Sequence, residues 1–144
     1  MKFSLKVVLI TAALAATAVY AADRTDPNAI ARSEAMRAIG GAMKTLGGMA
    51  EGKVDFDAAA AGAAKDAMMA AATSIPTNFM TQGETDPESK AKPEIWTSWD
   101  DFAADAATMA AAVTALDVTS AESIGAGMGA LGGACKDCHT EFRM

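Results

Sequence analysis

Two cysteines and the single histidine of the chain stand together as Cys135-Lys-Asp-Cys138-His139, close to the end of its 144 residues. C-x-x-C-H is the pattern by which a c-type haem is covalently attached. On a helix, residues three apart share a face, so both thiols can form thioethers with the vinyl groups on one porphyrin edge. His139, four residues after Cys135, lies on the same face and can direct its imidazole at the iron. One haem c is therefore the expected cofactor, attached at Cys135 and Cys138, with His139 as an iron ligand. Rival chemistries fit less well. A structural zinc site needs four ligands, and 2 Cys plus 1 His leave it one short. A thioredoxin-like pair belongs in a βαβ setting, of which the chain shows no sign. A disulfide across three residues of a helix is strained and leaves the adjoining histidine unexplained. With 1 His in the chain, multi-histidine metal sites are excluded, as is a serine-hydrolase triad beside the motif.

The elements that must position this motif are helical. Alanine makes up 36 of 144 residues and methionine 10, whereas β-branched and aromatic residues are scarce and scattered. Length predicts one domain. Four helices can be read. The first opens at Asp26-Pro27, a cap followed by proline at the first helical position, and its apolar stripe is Met36, Ile39, Met43 and Leu46. Gly47-Gly48 is expected to end or weaken it. The second starts near Asp55 or Asp57, is nearly all alanine with Met68, Met69 and Ile75 as its larger residues, and is expected to close at Pro76. Residues 77–93 read as a surface crossover. The third helix starts after Pro93 and carries a 3-4 seam of Trp99, Phe102, Ala106, Met109, Val113 and Leu116. The fourth is expected to be capped by Thr119 with Glu122 reaching back. Its inward stripe is Ile124, Met128, Leu131, Cys135, Cys138 and Phe142. The fold class is all-α, an antiparallel four-helix bundle. Glycines 125, 127, 129, 132 and 133 weaken the fourth helix by roughly 1 kcal/mol each. They admit close approach of either a haem or a neighbouring helix.

The first residues read differently. Lys2 and Lys6 precede an uncharged apolar stretch from Val7 to Tyr20, and Val19-Tyr20-Ala21 offers small residues where a signal peptidase cuts. Residues 1–21 are expected to be a secretory signal and 22–144 the haem-binding bundle. The stretch is shorter than the ~20 residues needed to span a bilayer, so no stable membrane insertion is expected after cleavage. The whole chain has 12 Lys+Arg and 18 Asp+Glu, net −6. Removing Lys2 and Lys6 leaves 10 against 18, or −8. That balance excludes nucleic acid as a partner, because its phosphates call for a basic stripe.

A haem motif at the C-terminus of a four-helix bundle resembles the class II c-type cytochromes, the cytochrome c′ family. The resemblance covers nearly the whole mature chain. It includes the Arg32-x-x-x-Met36 step on the first helix, the Lys92-Pro93-Glu94-Ile95-Trp96 segment and the ending Cys135-Lys-Asp-Cys-His-Thr-Glu-Phe-Arg143. It implies a periplasmic electron carrier, not an enzyme, meeting redox partner proteins at an exposed haem edge. In the cytochrome c′ branch an apolar residue four after the arginine covers a five-coordinate iron, open to nitric oxide or carbon monoxide. In the low-spin branch a methionine ligates there, and this chain has Met36. A neutral thioether stabilises ferrous iron, raises the potential and blocks small ligands. Met43, Met49 and Met128 are rival ligands, and methionine as plain core filler is the bland alternative. Arg32 either pairs with a haem propionate as a bidentate donor or is solvated at a helix edge. The resemblance places Trp96 in the haem region and Arg143 beside the imidazole of His139. It also implies that two copies can pair through their first helices as a homodimer.

Overall fold

The computed structural model describes residues 26–83, 86 and 88–144. The segment read as an export signal lies outside these residues. Helix α1 spans Pro27–Ala50, α2 Ala58–Phe79, α3 Glu94–Thr97, α4 Trp99–Ala115 and α5 Ala121–Phe142. The four long helices form the bundle. Each packs on two others in the circuit α1–α2–α4–α5 and back to α1, and the single turn α3 leads into α4. Among the described residues no helix is long and apolar enough to cross a membrane.

Local chemistry starts these helices where side-chain oxygens can accept the first free backbone N–H groups. Asp26 accepts from Asn28 at 2.8 Å with Pro27 in the first turn, and Asp57 accepts from Ala60 at 2.9 Å. The fourth long helix differs from the expected cap. Ser120 and Ser123 form a reciprocal capping box at 3.0 and 3.1 Å, while the Thr119 N–H donates to Asp117 at 2.9 Å. Serine one position later offers the same hydroxyl, and Asp117 draws Thr119 into the preceding turn.

Packing overrides two breakers. Gly47-Gly48 stays inside α1, which runs to Ala50 because Leu46 and Met49 are buried on either side of the pair; the chain turns at Gly52, φ +66°. Pro76 does not close α2, which continues to Phe79. The ring removes one backbone hydrogen bond, but burial of Ile75 and Phe79 on its two sides holds the last turn in place. The third sequence-read helix, by contrast, is split. Ser98 at φ −122°, ψ 49° breaks α3 from α4, so Trp96 and Trp99 belong to different elements.

Three helix C-termini are closed by cations from other elements. Carbonyls of the last turn lack intrahelical donors and sit at the negative end of the dipole. Neither α2 nor α4 has a basic residue in its own last turn. Arg32 of α1 serves α2, and Lys65 of α2 donates to Thr114 O at 3.2 Å in the last turn of α4 and to Leu116 O at 2.6 Å at its C-cap. Lys92 of the crossover donates to Glu141 O at 2.9 Å and Thr140 O at 3.3 Å in α5. The crossover is also tied to the chain end by backbone bonds, Lys92 N to Phe142 O at 3.0 Å and Met144 N to Lys90 O at 2.8 Å. These bonds flank the bridge between Ala91 and Arg143.

The glycines of α5 serve helix approach at one position. A Cβ on Gly127 would come within 2.4 Å of Leu116 Cδ1, in the buried residue that ends α4. Gly129 is exposed and faces open space. Gly129→Ala is therefore expected to stabilise by about 0.5–1 kcal/mol through helix propensity, and Gly127→Ala to destabilise through overpacking. Urea unfolding midpoints of the two variants against the parent check both signs.

Candidate functional site

Where four alanine-rich helices meet, backbones come close but the middle is not filled. A cavity of about 440 Å³ opens there, within the ~300–1,000 Å³ of small-molecule and cofactor sites. Each helix contributes to its wall: Arg32, Met36 and Met43 from α1, Ile75 and Phe79 from α2, and Ile95 from α3. Phe102, Asp105 and Met109 come from α4, and Cys135, Cys138, His139 and Phe142 from α5. Arg143 and crossover residues between Asp86 and Ala91 line its margin. Phe102 anchors the aromatic part of this wall, 5.0 Å from Phe79 and edge-on to Phe142 at 5.3 Å.

The helical register of α5 brings Cys135, Cys138 and His139 to one cavity, as their spacing requires. Both thiols are half-buried, and Cys135 Sγ lies 4.0 Å from Met109 Sδ. Burial pushes the Cys135 thiol up. Cys138 is pushed up to about 11, by burial first and then by the charges of Asp105, Cys135 and Glu141. Among the described residues no three His, Cys, Asp or Glu side chains converge as a metal cage. The pKa of His139 is lowered by burial and then by the charge of Arg143, in the direction of the neutral imidazole that a metal binds. Apolar walls, two thiols on one helix face and an imidazole beside them suit a covalently held haem.

Arg32 is 6% exposed, which removes the solvated-edge reading. Its Nε donates to Asn78 O at 2.9 Å, and its Nη2 donates to Gln82 O at 3.1 Å and to Thr81 O. The guanidinium lies 5.1 Å from the ring centres of both Phe79 and Trp96. Burial lowers its pKa, and the charge of Asp26 works the other way. Carbonyls at and just beyond the end of α2 thus accept from its Nε and Nη2. Trp96, which the resemblance places in the haem region, stands next to a residue of the cavity wall, its ring centre 5.1 Å from the Arg32 guanidinium. It is absent from the cavity wall and reaches it through Arg32, with its indole N–H donating to Phe79 O at 2.7 Å.

Of the methionine rivals, Met43 shares the wall with Met36. Met49 is buried elsewhere in the core, and Met128 lines a separate groove beside Gly47 and Val54. Met109 and Asp105 went unread as site residues. Met109 belongs to the seam of Phe102, which reads equally as core, and Asp105 stands one position before the seam residue Ala106, where a charge reads as solvated. The crossover residues at the margin carry no signal in sequence, because a chain crossing without periodicity does not announce what it covers.

A four-helix bundle with a C-x-x-C-H face turned into an apolar cavity defines a bundle-type c cytochrome. The Cytochrome C' family profile matches residues 28–143, and the chain belongs to that family. Cytochrome c-556 of Agrobacterium fabrum (strain C58 / ATCC 33970) is 38% identical over 148 residues, 97% of each chain. The solved cytochrome c′ of Rhodopseudomonas palustris superposes with a TM-score of 0.74 at 28% identity, over 81% of this chain and 95% of that one. A structure of oxidised cytochrome c556 from R. palustris gives 0.72 at 27% identity, over 82% and 96%. The protein is thus a c-type cytochrome of the cytochrome c′ family with one covalent haem c.

Arg32→Met is expected to cost about 2–4 kcal/mol, since the carbonyls at the end of α2 lose a charged donor. Arg32→Lys, which keeps the charge but not the planar fork, is expected to recover less than half of that loss. Urea unfolding of the haem-loaded proteins measures both.

Proposed function

We propose that this protein is a periplasmic electron carrier whose haem is attached at Cys135 and Cys138, with its iron ligated by His139 and Met36. The observation that carries this reading is the shared cavity wall: the motif residues come from α5 and Met36 from α1, one turn after the anchored Arg32. The haem supplies a one-electron ferric/ferrous couple. His139, whose pKa is lowered by burial and by the charge of Arg143, would offer a ring nitrogen to the iron. Met36 offers a soft, uncharged sulfur that favours the ferrous state and keeps small ligands from the sixth position. Ile75, Phe79, Phe102 and Phe142 exclude water from the cavity, which further raises the potential. Partners are redox proteins that dock near the haem edge, and no substrate is turned over. Pairing of two copies through α1 is part of this proposal. Export through residues 1–21 is part of the same proposal, resting on the charged start and the apolar stretch that follows it.

A second reading is favoured by the likeness to the R. palustris cytochrome c′. In it Met36 is wall rather than ligand, and the iron is five-coordinate and takes nitric oxide or carbon monoxide.

Visible spectra of the oxidised and reduced protein separate the two. Six-coordinate low-spin haem is expected, with slow or absent carbon monoxide uptake by the reduced form. Met36→Ala is expected to give a high-spin spectrum and rapid carbon monoxide binding, whereas Met43→Ala leaves the low-spin spectrum in place. A low-spin spectrum that survives Met36→Ala would sink the assignment of Met36.

A further inference from the structure

Of the three aspartates of α4, Asp105 alone lines the cavity, half-buried among Phe102, Ala106 and Met109. Nothing in its own helix accounts for a charge there. It lies beyond the first turn, where the dipole would favour a carboxylate. The residues three and four away are Phe102, Thr108, Asp101 and Met109, so no cation sits on its face and one neighbour repels it. On α5, its charge reaches Cys138, a thiol on which Glu141 also acts. Among the described residues Asp105 forms no hydrogen bond or salt bridge. Of the cations that line the cavity, Arg32 is engaged with carbonyls, the charge of Arg143 falls on His139, and Lys90 stands on the crossover at the margin. A carboxylate facing an apolar wall is unfavourable unless positive charge comes to meet it. A ferric haem carries one more positive charge than a ferrous one, so it is the oxidised state that such a carboxylate rewards.

We infer that Asp105 sets the reduction potential of this cytochrome, its carboxylate favouring the ferric state and holding the potential below the value that the apolar walls alone would give. The inference rests on haem occupying the cavity as proposed above; it does not depend on Met36 being a ligand. The couple it acts on is a one-electron exchange with a partner or mediator, in which no bond forms or breaks and no proton moves. Arg143 acts in the opposite sense from the side of His139.

Potentiometric titration of the haem-loaded protein, followed by its visible spectrum, tests this. Asp105→Asn keeps the shape and removes the charge. Its equilibrium with a given mediator is expected to shift toward the reduced form by about tenfold, which is about 59 mV for a one-electron couple. The ferric spectrum is expected to stay unchanged. Asp105→Glu keeps the charge and is expected to stay near the parent potential. If Asp105→Asn does not mature with haem, Asp105→Ser removes the same charge and is read in the same way. An unchanged or lowered potential in the neutral variant overturns the inference, as does a rise of equal size in Asp105→Glu. Absence of haem from the parent protein would defeat the proposed function and shows before any titration, and a five-coordinate spectrum would remove Met36 yet leave this test standing.

Discussion

Small side chains let helices approach closely but cannot fill the space between four of them. Ala35, Ala42, Ala61, Ala72, Ala106 and Ala134 are buried in the core and bring helix backbones together; Leu46, Met68, Val113 and Leu131 fill part of the interior, and a cavity is left in the rest. An empty apolar space of this kind forfeits the dispersion contacts that hold a close-packed interior together. A covalently held planar cofactor resolves the constraint, because it supplies the missing volume and cannot dissociate. Covalent attachment in turn requires two thiols on one face of one helix, pointed inward. The C-x-x-C-H stretch of α5 meets that requirement, with an imidazole one residue beyond.

The remaining large cost of such a bundle lies at its helix ends. Each helix leaves carbonyls without donors, and a core of methyl groups offers none. Arg32, Lys65 and Lys92 each reach across to the terminus of another helix. The links they make, α1 to α2, α2 to the end of α4, and the crossover to α5, tie together the elements that line the cavity. Arg32 illustrates how stability and site coincide. It stands between Phe79 and Trp96, ends α2 with its guanidinium, and borders the cavity one turn before Met36. The family likeness suggested a residue that meets the cofactor; the structure shows what else the same side chain is required to do.

Much of the architecture was legible from local rules. The four long helices follow from alanine content, seam spacing and caps at Asp26 and Asp57, and these are nearest-neighbour effects. Where breakers were involved, local rules misled. Gly47-Gly48 and Pro76 disfavour helix by propensity, yet Met49 and Phe79 beyond them are buried, and tertiary burial outweighs the propensity. At Ser98 the reverse holds: a continuous seam in the sequence conceals a break, because Trp96 is held to Phe79 and Arg32 while Trp99 packs on Phe102.

The motif proposed to hold the haem is local too, and for that reason it is legible in the chain alone. Thioether attachment and imidazole ligation need residues three and four apart on one helix, and such spacing is written in the primary order. The companions of that motif are set by contacts between elements far apart in the chain. Arg32 meets carbonyls 46 to 50 residues away, Met109 meets Cys135 across 26 residues, and the crossover is tied to the C-terminus by Lys90 and Lys92. No periodicity encodes such pairings, because they depend on how helices are placed side by side. Tertiary structure therefore decided which methionines reach the cavity, what Arg32 and Trp96 hold, and that Asp105 faces inward.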